Sequence, residues 1–247
     1  MNGFLTSAEM QALERDLFSR GVTSEEVMLE MAGGALAGTI ARHFPEGGTL
    51  VIFAGKGHNA ADAFVAGREL VKLGNWQLEV RCVFALAEMK PLAQAKLQDL
   101  GPLPTLSFRA PNDGGRVVIL DGLLGIGASG PLQGDMAEAC AAINRWRDER
   151  RVPVVAVDLP SGLGQAGCVV ADLTVTFGFP KAELVADAAT EFVGQLEVCE
   201  LEPLGARPEG DFLVTRDWVR QQLPPPRRFA MHKGQAGRVG IVAGSKG

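Results

Sequence analysis

Apolar residues in this chain fall into two alternating arrangements, short runs of strand length and longer stretches with helical spacing. Leu50, Val51, Ile52 and Phe53 form a short run that passes through Gly55, Lys56, Gly57, His58 and Asn59 into a helical pattern ending at Gly74. Upstream, Thr6-Ser7-Ala8-Glu9 has the form of a capping box, with Met10, Leu13 and Leu17 following at helical spacing and Gly21 as the stop. A second helix is expected from Thr23 or Ser24, with Glu25 and Glu26 in its favourable first turn. Its small centre, Met31-Ala32-Gly33-Gly34-Ala35, implies close packing of the helix on a sheet, and Pro45, Gly47 and Gly48 end it. Further strands are expected at residues 78–86, 116–120, 152–157, 169–177 and 194–201, and a helix at 135–146 whose charged continuation, 147–151, is a solvated end. Strands alternating with helices predict an α/β fold with a mostly parallel sheet covered on both sides.

In such sheets ligands bind at the carboxyl ends of the strands. Three of the expected ends carry oxygen donors: Asn59 and Asp62 after the first strand, Asp121 after the third, Asp158 and Ser161 after the fourth. Glycine-rich turns, 55–57 and 125–130, accompany two of them. A strand, a glycine turn and a helix start make a ready anion site, because the first helical N–H groups have no partner. Neither the GxGxxG nor the P-loop pattern fits the first turn. Asn59, Asp121 and Ser161 supply oxygen only, which suits a hard cation rather than zinc. Asp158, beside the constrained Leu159-Pro160, is the candidate for acid–base work. His58 shares the first turn, whereas His43 and His232 carry no such signal.

Composition narrows the classes. With 247 residues and 47% hydrophobic content, the chain suits one large domain, or one domain and a piece of another. A net charge of −5 without a basic block argues against nucleic acid or an anionic membrane as the main partner. The apolar runs are too short to span a bilayer, and the N-terminus lacks signal-peptide order. Cys82, Cys140, Cys168 and Cys199 are scattered among apolar neighbours, as reduced core thiols of a cytoplasmic chain would be. A homo-oligomer is compatible with all of this.

Four stretches, GKGHNAADAFVAGREL, LDGLLGIGASGPL, VVAVDLPSGL and ADLTVTFGFPKAEL, occur in the order and spacing of the YjeF N-terminal domain, and the chain resembles that family over residues 1–220 or so. The resemblance implies a Rossmann-like three-layer α/β/α sandwich and an isomerase, NAD(P)H-hydrate epimerase. Its substrates would be NADHX and NADPHX, nicotinamide cofactors hydrated at C6 of the ring, whose R and S forms the family interconverts for metabolite repair. By matching position, the substrate is expected to meet His58, Asn59, Ala60, Ala61 and Asp62, then Gly125, Ile126, Gly127, Ala128, Ser129, Gly130 and Pro131, and Asp158. Potassium (K+) would be held by Asn59, Asp121 and Ser161. Asp158 would serve as general acid and base at the C6 hydroxyl.

The family's NNGGDG is HNAADA here, residues 58–63. If those positions need φ > 0, each β-carbon costs about 1–2 kcal/mol and the added methyls crowd the ligand. A domain that binds nucleotide or potassium without turnover, and an interaction scaffold of the decapping type, are the alternative readings. Residues 1–223 are taken as the epimerase domain and the proline-rich 224–231 as a linker. Residues 232–247 resemble the opening of a ribokinase-like dehydratase domain, so a truncated chain without dehydratase activity is expected.

Overall fold

The structure, a computed structural model, describes residues 2–101, 116–128, 130–204, 212–214 and 216–223. Thr49, Leu50, Val51, Ile52, Phe53 and Ala54 are all buried, as a strand covered on both faces must be. They belong to β2 (Gly48–Ala54), and successive side chains go to opposite sides. Leu50, Ile52 and Ala54 join one core with residues of α1 (Ser7–Ser19), α2 (Glu25–His43), α3 (His58–Lys72) and α4 (Pro91–Gln98). Val51 and Phe53 join another with Met136, Cys140, Ile143 and Trp146 of α5 (Gly134–Arg150), where Phe53 meets Trp146 edge-on at 5.6 Å. Two cores on two faces make the three layers.

The sheet also contains β3 (Trp76–Cys82), β4 (Val117–Gly122), β5 (Val154–Val157), β6 (Leu173–Phe177) and β7 (Gln195–Cys199). All six strands are parallel, in the order β3-β2-β4-β5-β6-β7. The chain steps outward from β2 to β3 and then returns to the other side of β2 at β4. The β2/β4 boundary is therefore the point where strand order reverses, and a crevice opens there at the carboxyl ends. A two-residue antiparallel pair, β1 (Asn2–Gly3) with β8 (Phe212–Leu213), lies outside this sheet. A short α6 (Thr190–Val193) precedes β7. Residues 2–213 form one unit; residues 214–247 with Met1 form another, in which α7 (Arg216–Gln222) is described. The expected linker and second-domain opening, 224–247, lie outside the described residues.

The local signals act as expected in α1 and α2. Thr6 Oγ1 accepts the Glu9 N–H at 3.2 Å while Glu9 accepts the Thr6 N–H at 2.7 Å, a complete capping box. Ser24 caps α2 by accepting from Val27 N at 3.3 Å. Strand ends differ from expectation where backbone groups find other partners. Residues 169–172 do not begin β6, because Val169 N bonds Ser161 O at 2.9 Å and Val170 N bonds Asn144 Oδ1 at 2.8 Å. Residues 86–88 leave β3 as a single 3₁₀ turn, and α4, opened by Pro91 in its first turn, was not anticipated. All four cysteines are free, and burial pushes the Cys140 thiol up to about 12.

At Gly33 the small centre of α2 packs against a helix, α3. A β-carbon at Gly33 would lie 2.5 Å from Cβ and Cγ1 of Val65 on α3, whereas one at Gly34 would meet nothing within 4 Å. The two adjacent glycines therefore predict opposite outcomes. Gly33→Ala should destabilise by about 1–3 kcal/mol, since the stiff Val65 cannot yield. Gly34→Ala should be neutral or stabilise by up to about 1 kcal/mol through helix propensity. Urea denaturation of both variants checks this; equal stabilities would contradict the close helix approach.

Candidate active site

The turn after β2 is pressed against the turn after β4. Gly55 N donates to Gly122 O at 3.1 Å, and a β-carbon on Gly55 would sit 1.9 Å from Leu123 O, so only glycine permits this approach. Gly57 then caps α3 with no side-chain bond. The first intrahelical bond runs from Ala61 N to Gly57 O, which leaves the N–H groups of His58, Asn59 and Ala60 without helical acceptors at the crevice.

Residues 58–63 are thus a helix start and not a loop. Ala60, Ala61 and Ala63 are fully buried in the core, and their methyls do not line the cavity described below. Among the described residues only Arg151 and Asp158 have positive φ without being glycine. The expected left-handed penalty and ligand crowding at HNAADA therefore do not arise. Ala60 can reach a ligand only through its backbone.

Three strand ends are stapled together by side chains. Asp121, fully buried at the end of β4, accepts Ser161 Oγ at 2.6 Å and Leu123 N at 3.2 Å on Oδ1, and Ser161 N at 2.8 Å on Oδ2. Ser161 Oγ in turn accepts Leu124 N at 2.9 Å. Asn59 Nδ2 donates to Leu124 O at 2.9 Å and Val157 O at 2.6 Å. Gly125 makes room for that amide, because a β-carbon there would lie 2.1 Å from Asn59 Oδ1. Burial pushes the Asp121 carboxyl up to about 6, against the opposing hydrogen bonds from Ser161 and Leu123. No ion pair to Asp121 occurs among the described residues, so this buried carboxylate has no cationic partner.

Asp158 stands at the end of β5 in a tight turn, with φ of 66° and Leu159 N bonded back to Val157 O at 2.8 Å. A left-handed conformation at a non-glycine residue costs about 1–3 kcal/mol and persists only where the surroundings impose it. Those surroundings are visible. Asp158 Oδ1 accepts Lys181 Nζ at 2.5 Å and Thr176 Oγ1 at 2.8 Å. Lys181 is 1% exposed and gives its other two protons to Thr176 Oγ1 at 3.0 Å and Phe177 O at 2.9 Å, so its ammonium is fully used. Its backbone is clasped by the N-terminal segment, with Leu5 N on Pro180 O at 3.1 Å and Ala182 N on Leu5 O at 2.8 Å. Asp158 Oδ2 carries no hydrogen bond among the described residues, and Asp158 lines the cavity.

That cavity, of about 510 Å³, opens at the β2/β4 boundary and falls in the size range of small-molecule sites. His58, Asn59, Asp62, Gly125, Ile126, Gly127, Ala128 and Asp158 of the expected set line it. Gln11 of α1 fixes the glycine turn by donating to Ile126 O at 2.9 Å. Gly130 and Pro131 are exposed and off the cavity wall, and Ser129 lies outside the described residues. His58 Nε2 lies 2.9 Å from Glu25 Oε1; burial lowers its pKa, Glu25 opposes this and Lys90 adds to it. Lys56, 5.0 Å over the Phe84 ring, and Lys90 give the outer wall a positive character.

Two residues of the site had no signal of their own in the sequence. Lys181 lies in the quoted FGFPKAEL stretch, four residues beyond β6, yet a lone lysine there does not announce a partner on another strand. Glu14, on α1, also faces the cavity. Its carboxyl is raised by burial, with Lys181 opposing and Asp158 and Glu25 reinforcing the shift.

Comparison with known proteins places these features in context. Residues 25–183 match the YjeF-related protein N-terminus family. A bifunctional NAD(P)H-hydrate repair enzyme Nnr from Gloeobacter violaceus is 36% identical over 97% of this chain and 49% of its own length. The corresponding enzyme of Moorella thermoacetica is 31% identical over 98% of this chain and 49% of its own. An NAD(P)H-hydrate epimerase from Limosilactobacillus fermentum is 30% identical over 79% of this chain and 95% of its own length. The chain thus spans about half the length of the bifunctional relatives it matches.

The buried Asp121 predicts a pH dependence of stability. Its folded pKa is above its ordinary value, so the stabilising protonated state is fully present below pH about 4 and lost as pH rises through about 6. In buffers containing only bulky organic cations, unfolding free energy should fall across that window, by up to ~3 kcal/mol from this group. Asp121→Asn should flatten that part of the curve. An unchanged curve in the variant would show that Asp121 is not the buried carboxyl responsible.

Proposed function

The chain belongs to the YjeF-related protein N-terminus family, and on that premise we propose that it epimerises hydrated nicotinamide cofactors, NADHX and NADPHX, at C6 of the ring. The observation that carries this reading is Asp158, a carboxylate in a left-handed turn with one oxygen locked by Lys181 and Thr176 and the other free toward the cavity. Backbone strain of this kind gathers at functional sites. Epimerisation has a use for such a carboxylate, because the C6 hydroxyl must be protonated to leave and water must be deprotonated to return. The ring nitrogen supplies the electron pair for departure, through an iminium-like state, and takes it back on return. Lys181, with every proton used, orients Asp158.

The remaining groups suit the rest of the substrate. The unpaired N–H groups at the start of α3 favour a phosphate, with Lys56 and Lys90 contributing charge farther out. The 510 Å³ cavity accommodates the nicotinamide end of the molecule. On the same reading residues 1–223 carry the epimerase, and residues 232–247 open a dehydratase portion. Four free cysteines accord with a reducing, cytoplasmic setting.

Potassium belongs to the proposal as the bound cation. The donor set fits it: Asn59, Asp121 and Ser161 offer oxygens alone, and the fully buried Asp121 lacks a positive neighbour among the described residues. When bound, the ion would neutralise Asp121 and brace the three strand ends. Because it competes with the proton for Asp121, exchanging tetramethylammonium for potassium should raise the melting temperature more at pH 8 than at pH 5. The same rise at both pH values, or none, would remove potassium from these residues.

The activity itself is tested by mixing purified protein with R-NADHX and following the configuration at C6. Conversion toward the R/S mixture is expected, and no acceleration over buffer would overturn the reading. Asp158→Asn keeps the shape but loses the exchangeable proton, so kcat should drop about 100-fold or more while nucleotide affinity changes far less.

A further inference from the structure

Asp62 is the most buried of the cavity carboxyls that have no part in the epimerase reading. It lies on the first turns of α3, is 8% exposed and lines the same cavity as Asp158. Among the described residues it has no hydrogen bond and no ion pair. A side chain that is more than nine-tenths buried, polar, unpartnered and turned to a cavity is costly unless a ligand or a proton completes it. The two aspartates therefore stand in contrasting settings, Asp158 anchored by a lysine and Asp62 without a cation of its own.

Resting on the epimerase reading, we propose that Asp62 is a second proton-transfer residue of the reaction, working from the α3 wall of the cavity while Asp158 works from the β5 wall. Inversion at C6 requires a proton donor on the face where hydroxyl leaves and an acceptor on the face where water adds, and two carboxyls on two elements supply both. In one direction the Asp62 carboxyl gives its proton to the C6 hydroxyl. The C–O bond breaks, its electron pair departs with oxygen as water, and the nitrogen lone pair forms a C=N bond. A water then adds to the other face, its oxygen forming the new C–O bond as the C=N pair returns to nitrogen. The proton that this water sheds passes to the Asp158 carboxylate. The reverse reaction starts with Asp158 protonated and Asp62 ionised, so atoms and charge balance and nothing is oxidised.

The surroundings of Asp62 favour its protonated form. Burial raises its pKa well above the ordinary aspartate value, Asp158 and Glu14 raise it further, and Lys181 opposes them. Arg15 on α1, Glu25 on α2 and His58 on α3 are the other charged or titratable groups on the helices that wall this part of the cavity. A donor must be protonated to act, so activity in the direction that uses Asp62 as acid should fall as pH rises through its elevated pKa. Glu14 raises that pKa, so neutralising it moves the alkaline limb to lower pH.

Steady-state kinetics in both directions test this on the full chain. Asp62→Asn should lower kcat by about 100-fold or more with KM within a few-fold of wild type, and Asp62→Glu should recover part of the loss. Glu14→Gln should displace the alkaline limb of kcat toward acid. An Asp62→Asn enzyme with kcat within threefold of wild type would overturn the proposal, as would a loss of binding equal to the loss of rate. Should Asp62→Asn fail to fold, the Glu14→Gln profile decides: a displaced limb supports the role and an unmoved one removes it. Wild-type protein that inverts neither epimer would instead sink the epimerase reading, and this inference with it.

Discussion

A carboxylate with no cation beside it among the described residues holds the carboxyl ends of three strands together. Asp121 is fully buried and accepts three hydrogen bonds from Ser161 and Leu123, while Ser161 Oγ accepts a further one from Leu124 N. Asn59 closes the arrangement from α3 by bonding the carbonyls of Leu124 and Val157. These bonds tie the turn after β5, which carries Asp158 three residues before Ser161, to the turns after β2 and β4. The staple is polar where the sheet on either side is apolar. Its desolvation is a cost to the fold, tolerated where it organises a site.

Once the strand ends are fixed, charge sorts the cavity. Lys181 is spent entirely on Asp158, Thr176 and Phe177, so its role is to aim one carboxylate. Glu14 and Asp62 face the same space without lysine contacts of their own and are raised by burial. Burial and the neighbouring acids thus favour the protonated forms of Glu14 and Asp62. Toward the outside the character changes, with Lys56, Lys90 and the open N-terminus of α3 suited to an anionic group. A substrate with a neutral ring to protonate and a phosphate to anchor matches both ends.

Much of this was legible in the sequence, for identifiable reasons. Apolar runs of strand length and the Thr6–Glu9 capping box specify local structure, and the α/β architecture followed from their alternation. Oxygen donors at successive strand ends pointed to a common site, and His58, Asn59, Asp62, Asp121, Asp158 and Ser161 do converge on one edge. What could not be read depends on contacts distant in sequence. Lys181 matters because β6 lies beside β5, and Glu14 because α1 lies over the crevice. The alanines of HNAADA would be obstructive in a left-handed loop; in a right-handed helix their methyls go to the core. Small residues at the centre of α2 suggest packing on the sheet, whereas the neighbour of Gly33 is Val65 on α3.

The central claim is that the cavity around Asp158 inverts C6 by breaking and remaking the bond to its hydroxyl oxygen. Isotope exchange tests it most directly: NADHX of one configuration is converted in ¹⁸O-enriched water, and the oxygen at C6 of the product epimer is read by mass spectrometry. The account predicts that label appears in the inverted product at the same rate as inversion, and that Asp158→Asn slows both together. Inversion with the original oxygen retained would contradict it, because the hydroxyl would then never have left the ring.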